Sequence, residues 1–408
     1  MKRNRRISAV AALALAAIVT GTGTGFAATT TPSATPVATH AFDTAPATAT
    51  ATAPTRSFQG ALPAPTGPYT AGEDVIHLTD ASRPDPWVPS SGPRQLTVTM
   101  VYPAVPGTGT PAPYMTLGEA AGVLQRRKLP ASSGVTPQTL AGVTTHAFDG
   151  ARPQSGKHPL VVLSAAYENP RMTLTSLATD LASHGYVVAL VGHTYEDSGE
   201  TLANGQTSPC AICDGPAGLD FDAVAASRAL DVSFVIDRLT HGNTAWHLAH
   251  LIDKHEIGMA GHSIGGAAAA ATMIADPRVR AGVNMDGSFH PVPMPGQIDR
   301  PFLMLGAADN LSADGDNWGR TWPALGGYKK WLTVTGADHF SFSDLDLLLE
   351  EAGFPTAPLS PERGVAITRE YVTAFFDRTL KGIHGPLLDG PSPTNPEVLF
   401  QHHHESDN

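Results

Sequence analysis

Cysteine is almost missing from this chain: its 408 residues hold two, Cys210 and Cys213, set as Cys-Ala-Ile-Cys. A zinc centre needs about four ligands, and without a second Cys-x-x-Cys the pair does not build one, so no metal is expected. Charge is scarce too, at 15% Asp, Glu, Lys and Arg, and the balance is acidic, net −11. A chain with no basic excess is not made to hold a phosphate backbone, which removes nucleic acid from the expected partners. Long apolar runs are absent beyond the extreme N-terminus, and that excludes a polytopic membrane protein. Neither a Gly-rich phosphate loop nor a dinucleotide fingerprint occurs, so no cofactor is expected.

What is present begins with an export signal. Lys2, Arg3, Arg5 and Arg6 form a positive segment, Ala9 to Thr20 an apolar one, and Gly25-Phe26-Ala27 a small-x-small cleavage site, giving a signal peptide over 1–27. The apolar run falls short of the ~20 residues that span a bilayer, so no integral span is expected after its removal. Cleavage takes four cations and moves the net charge from −11 to −15, which disfavours anionic membrane surfaces. Secretion makes a Cys210–Cys213 disulfide the default for the pair. Residues 28–56 are nearly all Thr, Ala, Pro and Ser and cannot bury enough apolar surface to fold, so they read as a spacer. One folded domain is expected over 57–390, then a tail over 391–408.

Within that domain, short apolar runs alternate with helical spacing. Strands are predicted at Gln95 to Tyr102, Pro159 to Ala165, Tyr186 to Val191, Glu256 to Ala260, Arg280 to Met285, Pro301 to Leu305 and Lys330 to Thr335. Helices are predicted at Thr173 to His184, Asp220 to Leu239 and Arg363 to Leu380. This alternation argues for an α/β fold, a mostly parallel sheet with helices on both faces. The stretch from Pro111 to Ala147 reads as an insertion whose Tyr114, Met115, Val123 and Leu124 either wall a pocket or pack in the core. Asp314-Gly315-Asp316-Asn317 has neither the spacing nor the closing Glu of a calcium loop and reads as a surface turn.

The residues with chemistry follow the Glu256 to Ala260 strand: Gly261-His262-Ser263-Ile264-Gly265. Gly-x-Ser-x-Gly between a strand and an Ala-rich helix is a nucleophile elbow, a turn so sharp that the flanking glycines keep side chains out of the way. A serine nucleophile needs a histidine base, and the base an orienting carboxylate. Of the downstream candidates His290, His339, His384 and the histidines 402–404, His339, in Gly-Ala-Asp-His-Phe just after a strand, is the base; His290 sits too close behind the preceding strand, and the histidines 402–404 belong to the chain's end. Two acids are open. Asp286 ends the strand after the nucleophile helix and Asp309 ends the next, and spacing alone does not choose.

Strand, Gly-His-Ser-Ile-Gly-Gly, a Met285-Asp286-Gly287 some two dozen residues later and a late Asp338-His339-Phe340 resemble the plasma-type platelet-activating-factor acetylhydrolase family. Gly67-Pro68-Tyr69, Arg94-Gln95-Leu96 before Tyr102-Pro103, and Asp180-Leu181-Ala182-Ser183-His184-Gly185-Tyr186 carry the same likeness over about residues 65–380. The resemblance implies an α/β-hydrolase that cleaves short sn-2 acyl esters of phospholipids, and it selects Asp286 as the acid. It also implies two backbone donors to the oxyanion, Ile264 and, after the Pro159 to Ala165 strand, Tyr167. Where that family shows His-Gly after this strand, the present chain has Ser164-Ala165-Ala166-Tyr167. Secreted cutinase-like polyester or triglyceride esterases share the layout with their acid at the Asp309 position, and a non-catalytic binding module on the same fold is the alternative of another class. The expectation is a secreted serine ester hydrolase with a small ester or phospholipid substrate, Ser263, His339 and Asp286 as its catalytic residues, and no cofactor.

Overall fold

Leu160-Val161-Val162-Leu163 shows how the chain builds its centre: Val161 and Leu163 face one apolar layer, Leu160 and Val162 another, and all four are buried. The computed structural model describes residue 58 and residues 60–214, 219–308 and 316–401, all within one compact unit, Arg56–Asn408. The expected signal peptide and spacer, Asp309, Asp314 and the histidines 402–404 lie outside the described residues.

The strands are β1 (Thr70–Pro84), β2 (Pro93–Ala104), β3 (Thr110–Pro111), β4 (Ala147–Asp149), β5 (His158–Ser164), β6 (Val187–His193), β7 (Glu200–Thr201), β8 (Thr207–Ser208), β9 (Ile252–His262), β10 (Val279–Met285), β11 (Phe302–Ala307), β12 (Lys329–Val334) and β13 (Val398–Phe400). The helices are α1 (Leu117–Arg127), α2 (Pro137–Ala141), α3 (Thr175–Ser183), α4 (Phe221–Thr240), α5 (Ile264–Ala275), α6 (Asn317–Thr321), α7 (Leu345–Glu351) and α8 (Pro361–Leu380). Eleven strands form one sheet in the order β13-β12-β11-β10-β9-β5-β6-β2-β1-β4-β3, and β7 pairs with β8 apart from it. The six from β12 to β6 run parallel. The fold is thus the mostly parallel, two-faced α/β sheet that the sequence implies.

Helices α3 and α8 cover one face through Leu177, Leu181, Tyr371 and Phe375; α4 and α5 cover the other through Val232, Ile236, Ala269 and Met273. Local chemistry sets their ends. Asp220 accepts the N–H groups of Asp222 and Ala223 at the start of α4, and Ser360 caps α8 with Pro361 at its first position. From β5 the chain moves outward to β6 on one side, then returns to β9 on the other. Such a reversal leaves a crevice beyond the C-terminal ends of two neighbouring strands, where α/β sheets place their ligands.

Two features differ from the sequence expectation. β1, a 15-residue strand antiparallel to β2, was not anticipated; Glu73, Asp74, His77 and Asp80 interrupt its apolar residues, which dilutes the apolar signal. The tail does not begin at 391 as a separate segment, because β13 pairs antiparallel with β12 through Leu332↔Phe400 and Val334↔Val398. In the insertion, where two roles were left open, Tyr114, Met115, Val123 and Leu124 pack with Phe58, Leu140, Leu347 and Val365 in a satellite core, and Tyr114 and Met115 also line a cavity beside Arg171. Thr116 and Glu119 close a capping box at the start of α1. Cys210 and Cys213 form the expected disulfide.

Candidate active site

Ser263 stands where β9 stops and α5 begins, at φ 57° and ψ −124°. That region is costly for a residue with a Cβ and persists only when its surroundings enforce it. The surroundings do so through glycine. A Cβ on Gly261 would lie 2.1 Å from the backbone of Gly265, and one on Gly265 would lie 2.0 Å from the carbonyl oxygen of Ser164. The turn is therefore closed to any other residue at both positions, and Ser263 N–H donates to Met285 O across 2.9 Å, binding the elbow to β10.

Asp286 ends β10 at φ 56°. Its N–H donates to Leu305 O at 2.8 Å, and its Oδ1 accepts Ala307 N–H at 2.8 Å, so one carboxylate oxygen is already held by β11. Asn284 bridges the turn, accepting Gly287 N–H and donating to Gly287 O, each at 2.8 Å. The second oxygen, Oδ2, accepts the Nδ1–H of His339 at 2.6 Å. On the other side of the ring Nε2 accepts the hydroxyl of Ser263 at 2.9 Å. The loop after β12 that carries His339 is shaped by Asp338, whose Oδ1 accepts the N–H groups of Phe340 and Ser341.

Burial sorts these groups by role. The Asp286 side chain is 1% exposed, whereas that of His339 is 38% exposed, so the carboxylate is shielded and the imidazole opens to the crevice. The Nδ1–H tautomer fixed by Asp286 leaves Nε2 as an acceptor aimed at Ser263. This arrangement can withdraw the serine proton as Oγ attacks an acyl carbon and return it to a leaving alcohol.

Ile264 begins α5, so its N–H points out of a helix N-terminus with the favourable end of the helix dipole behind it. Tyr167 follows β5, the strand beside β9. Neither N–H donates to another group among the described residues. The Tyr167 side chain packs near Ile264 with Trp87, Ile212, Leu219 and Phe221, its ring edge-on to Phe221 at 5.6 Å, and its hydroxyl donates to Ile212 O at 2.7 Å. Ile212 lies inside the Cys210–Cys213 loop.

The structure thus brings together Ser263, His339 and Asp286 and sets Ile264 and Tyr167 beside one another; His290 instead meets Asp222 at 3.1 Å. Sequence reasoning missed His262, whose Nε2–H donates to the carbonyl of His339 at 2.6 Å. Its place inside the motif was the available signal. It also missed the buried charges under the Ser164-to-Tyr167 loop. Arg228 donates to Ser164 Oγ at 3.2 Å, to Ala165 O and to Glu196 Oε2 at 2.7 Å, and His193 meets Ser164 Oγ at 2.9 Å and Asp231 Oδ2 at 2.8 Å. No local pattern announces partners so far apart in the chain.

Comparison with known proteins places this geometry in context. The sequence profile described as platelet-activating factor acetylhydrolase, isoform II, matches residues 120–208 and 232–354. The chain is 26% identical over 377 residues to a protein of Arthroderma benhamiae named probable 1-alkyl-2-acetylglycerophosphocholine esterase, covering 83% of this chain and 93% of that one. It is 28% identical over 182 residues to the platelet-activating factor acetylhydrolase of Bos taurus, covering 38% and 40% of the two chains. Among solved structures, a ferulic acid esterase from Streptomyces cinnamoneus superposes with a TM-score of 0.76 at 40% identity, over 84% of this chain and all of that one.

Proposed function

The chain belongs to the platelet-activating factor acetylhydrolase, isoform II, family and is a carboxylic ester hydrolase, and on that premise we propose an exported serine esterase with Ser263 as nucleophile, His339 as general base and acid, and Asp286 as the group that orients it. The observation that carries this reading is the unbroken line Ser263 Oγ–His339 Nε2, His339 Nδ1–Asp286 Oδ2, at 2.9 and 2.6 Å.

The reaction follows from the geometry. Ser263 Oγ attacks the acyl carbon while its proton passes to His339 Nε2, and the imidazolium that forms is stabilised by the shielded Asp286. Negative charge develops on the former carbonyl oxygen, which the N–H groups of Ile264 and Tyr167 receive; a donor of this kind is worth about 10²–10³ in rate. Collapse expels the alcohol, protonated by His339. Water, activated by the same histidine, then releases the acid from the acyl-enzyme. Export is supported by the signal sequence and by the disulfide, which persists in oxidising surroundings.

For the substrate, the name of the Arthroderma benhamiae relative supports a short acyl group on a glycerophosphocholine or similar alcohol. A second reading has its own observation. The half-buried wall of Trp87, Tyr167, Leu219 and Phe221 against Ile264 offers flat apolar faces beside the oxyanion donors, which suits an aromatic acyl group, as does the likeness to the ferulic acid esterase. Measuring kcat/KM over p-nitrophenyl esters of increasing chain length, a 2-acetyl glycerophosphocholine and methyl ferulate separates the two. Preference for acetyl or propionyl esters supports the first reading, preference for methyl ferulate the second. No hydrolysis of any of them would overturn the serine-esterase assignment.

A further inference from the structure

We propose that Arg228 is a positioning residue of the oxyanion site: a buried guanidinium that fixes the peptide presenting the Tyr167 N–H. The inference rests on the reading of Ser263 as nucleophile and of the Tyr167 N–H as oxyanion donor.

A fully buried arginine is expensive. Removing a guanidinium from water costs several kcal/mol unless its hydrogen bonds are replaced with good geometry. Arg228 lies in the second turn of α4, 1% exposed. Its Nε donates to Glu196 Oε2 at 2.7 Å, which accounts for its charge. That pairing does not need the rest of the group, because Glu196 also accepts from Arg94 Nη2 at 3.3 Å and from Trp87 Nε1 at 2.7 Å. What distinguishes Arg228 is the use of Nη1, which donates to Ser164 Oγ and to the carbonyl oxygen of Ala165. Ser164 is the last residue of β5 and Ala165 the first of the loop that leaves it for the active site.

That loop has little freedom left. Glu196 O accepts the N–H of Glu168 at 3.1 Å, just past Tyr167, so the same residue anchors the loop on one side with its main chain and holds Arg228 on the other with its carboxylate. Ser164 O and Ala165 O press against Gly265, where a Cβ would lie 2.0 and 3.0 Å from them, so the loop cannot retreat into α5 either. Between these fixed points stands the peptide of Tyr167. Freed from Nη1, the Ala165 carbonyl becomes a buried acceptor without its partner, and the next peptide, Ala166–Tyr167, keeps the bond from Asn169 N–H to Ala166 O at 3.2 Å but loses the fixed neighbour that sets the aim of the Tyr167 N–H. An oxyanion donor is effective only when it is aimed before the charge appears. The chemistry assigned to Arg228 is therefore orientation: it neither meets the substrate nor moves a proton.

The trio His193, Glu196 and Asp231 offers ligand atoms within 4.8 Å of one another. Arg94 and Arg228 already bring positive charge to these carboxylates, so the cluster is built as an ion-pair support for the loop.

The test uses the full-length enzyme and the substitution Arg228→Lys, which keeps the charge beside Glu196 but cannot reach all three acceptors. Three quantities are read: kcat, KM on a short p-nitrophenyl ester, and Ki for a trifluoromethyl ketone, which adds to Ser263 and places an oxyanion between the donors. We expect kcat to fall about 10- to 100-fold and Ki to rise in parallel, with KM within about threefold, because a misaimed donor costs transition-state stabilisation and little ground-state binding. Unchanged kcat and Ki in a folded variant, or a KM effect with kcat retained, overturns the proposal. Should Arg228→Lys fail to fold, the charge-balanced pair Arg228→Met with Glu196→Gln leaves no buried charge unopposed, and the same outcomes apply to it. The nucleophile is checked separately, by fluorophosphonate labelling of Ser263 in the unaltered enzyme. Failure there removes the serine reading before the Arg228 variant is interpreted.

Discussion

His262 and His339 share one hydrogen bond and one ring contact: the Nε2–H of His262 donates to the carbonyl oxygen of His339 at 2.6 Å, and the two rings lie 4.8 Å apart, tilted by 38°. Burial, assisted by the charge of His339, lowers His262 to about 3. It therefore stays neutral near neutral pH and serves as a donor to the loop that carries His339. Replacing it by leucine should keep the sheet intact and release that loop. We expect kcat to drop about 10- to 100-fold with a smaller change in KM, in line with the penalty for misplacing a catalytic group by about 1 Å. Equal kcat in the His262→Leu enzyme would show that the loop holds itself.

Ser263→Ala should fold with an unchanged melting temperature and lose at least about 10⁴ in kcat, since members of a triad act as a unit. Asp286→Asn should lose about 10⁴ by fixing the wrong tautomer of His339, while Asp309→Asn should stay within about threefold. The reverse ranking of the two aspartates would transfer the orienting role to Asp309. Steady-state kinetics on a p-nitrophenyl ester decides it.

Reducing the Cys210–Cys213 disulfide should affect substrate handling more than stability. The loop it closes is short, so its removal costs about 2 kcal/mol by chain-entropy arithmetic. That loop nevertheless holds Tyr167 through Ile212 O and Arg126 through Cys213 O. With a phosphine reductant, kcat/KM should fall several-fold on substrates that lie against the aromatic wall, and the melting temperature should shift only modestly. Identical kinetics with and without reductant would count against any role for the loop at the site.

Glu73 makes stability fall with alkali. Burial pushes its carboxyl up to about 8, Arg171 pulling it back and Asp149 and Asp74 pushing it further. Between the model-compound value of 4.5 and about 8 the folded chain keeps this proton and the unfolded chain has lost it. Stability therefore decreases as pH rises through that window, by about 1.4 kcal/mol per unit from this group alone. Glu73→Gln cannot titrate and should gain on the unaltered protein from pH 5 to 8 in denaturant melts. Parallel curves for the two proteins would refute it.

The parallel half of the fold was legible because its strands are buried on both faces and read as uninterrupted apolar runs; Val187 to Val191 and Phe302 to Leu305 need no context. β1 was not legible, since the buried Glu73 and Asp80 and the more exposed Asp74 and His77 interrupt its apolar residues. Ser263 and His339 could be named because a strand-turn-helix motif and a post-strand histidine are local patterns. Asp286 needed a resemblance, for two strand ends offered a carboxylate and register decides which one faces the ring. Arg228, His193 and Glu196 were invisible for a simpler reason: their side-chain partners lie between 29 and 109 residues away, and a helix with one arginine on its buried face looks like any other helix.

β13 also sets how the chain can be shortened. It covers the outer edge of β12, and Gln401 adds a bond from its N–H to Trp331 O at 2.8 Å and another from its side chain to Thr333 Oγ1 at 2.8 Å. A truncation at 390 would bare the main-chain ladder of Trp331 to Val334, an apolar edge ready to pair with a second copy. The same ladder leads directly into the His339 loop, so a chain trimmed there would risk aggregation and catalytic failure through one exposed strand.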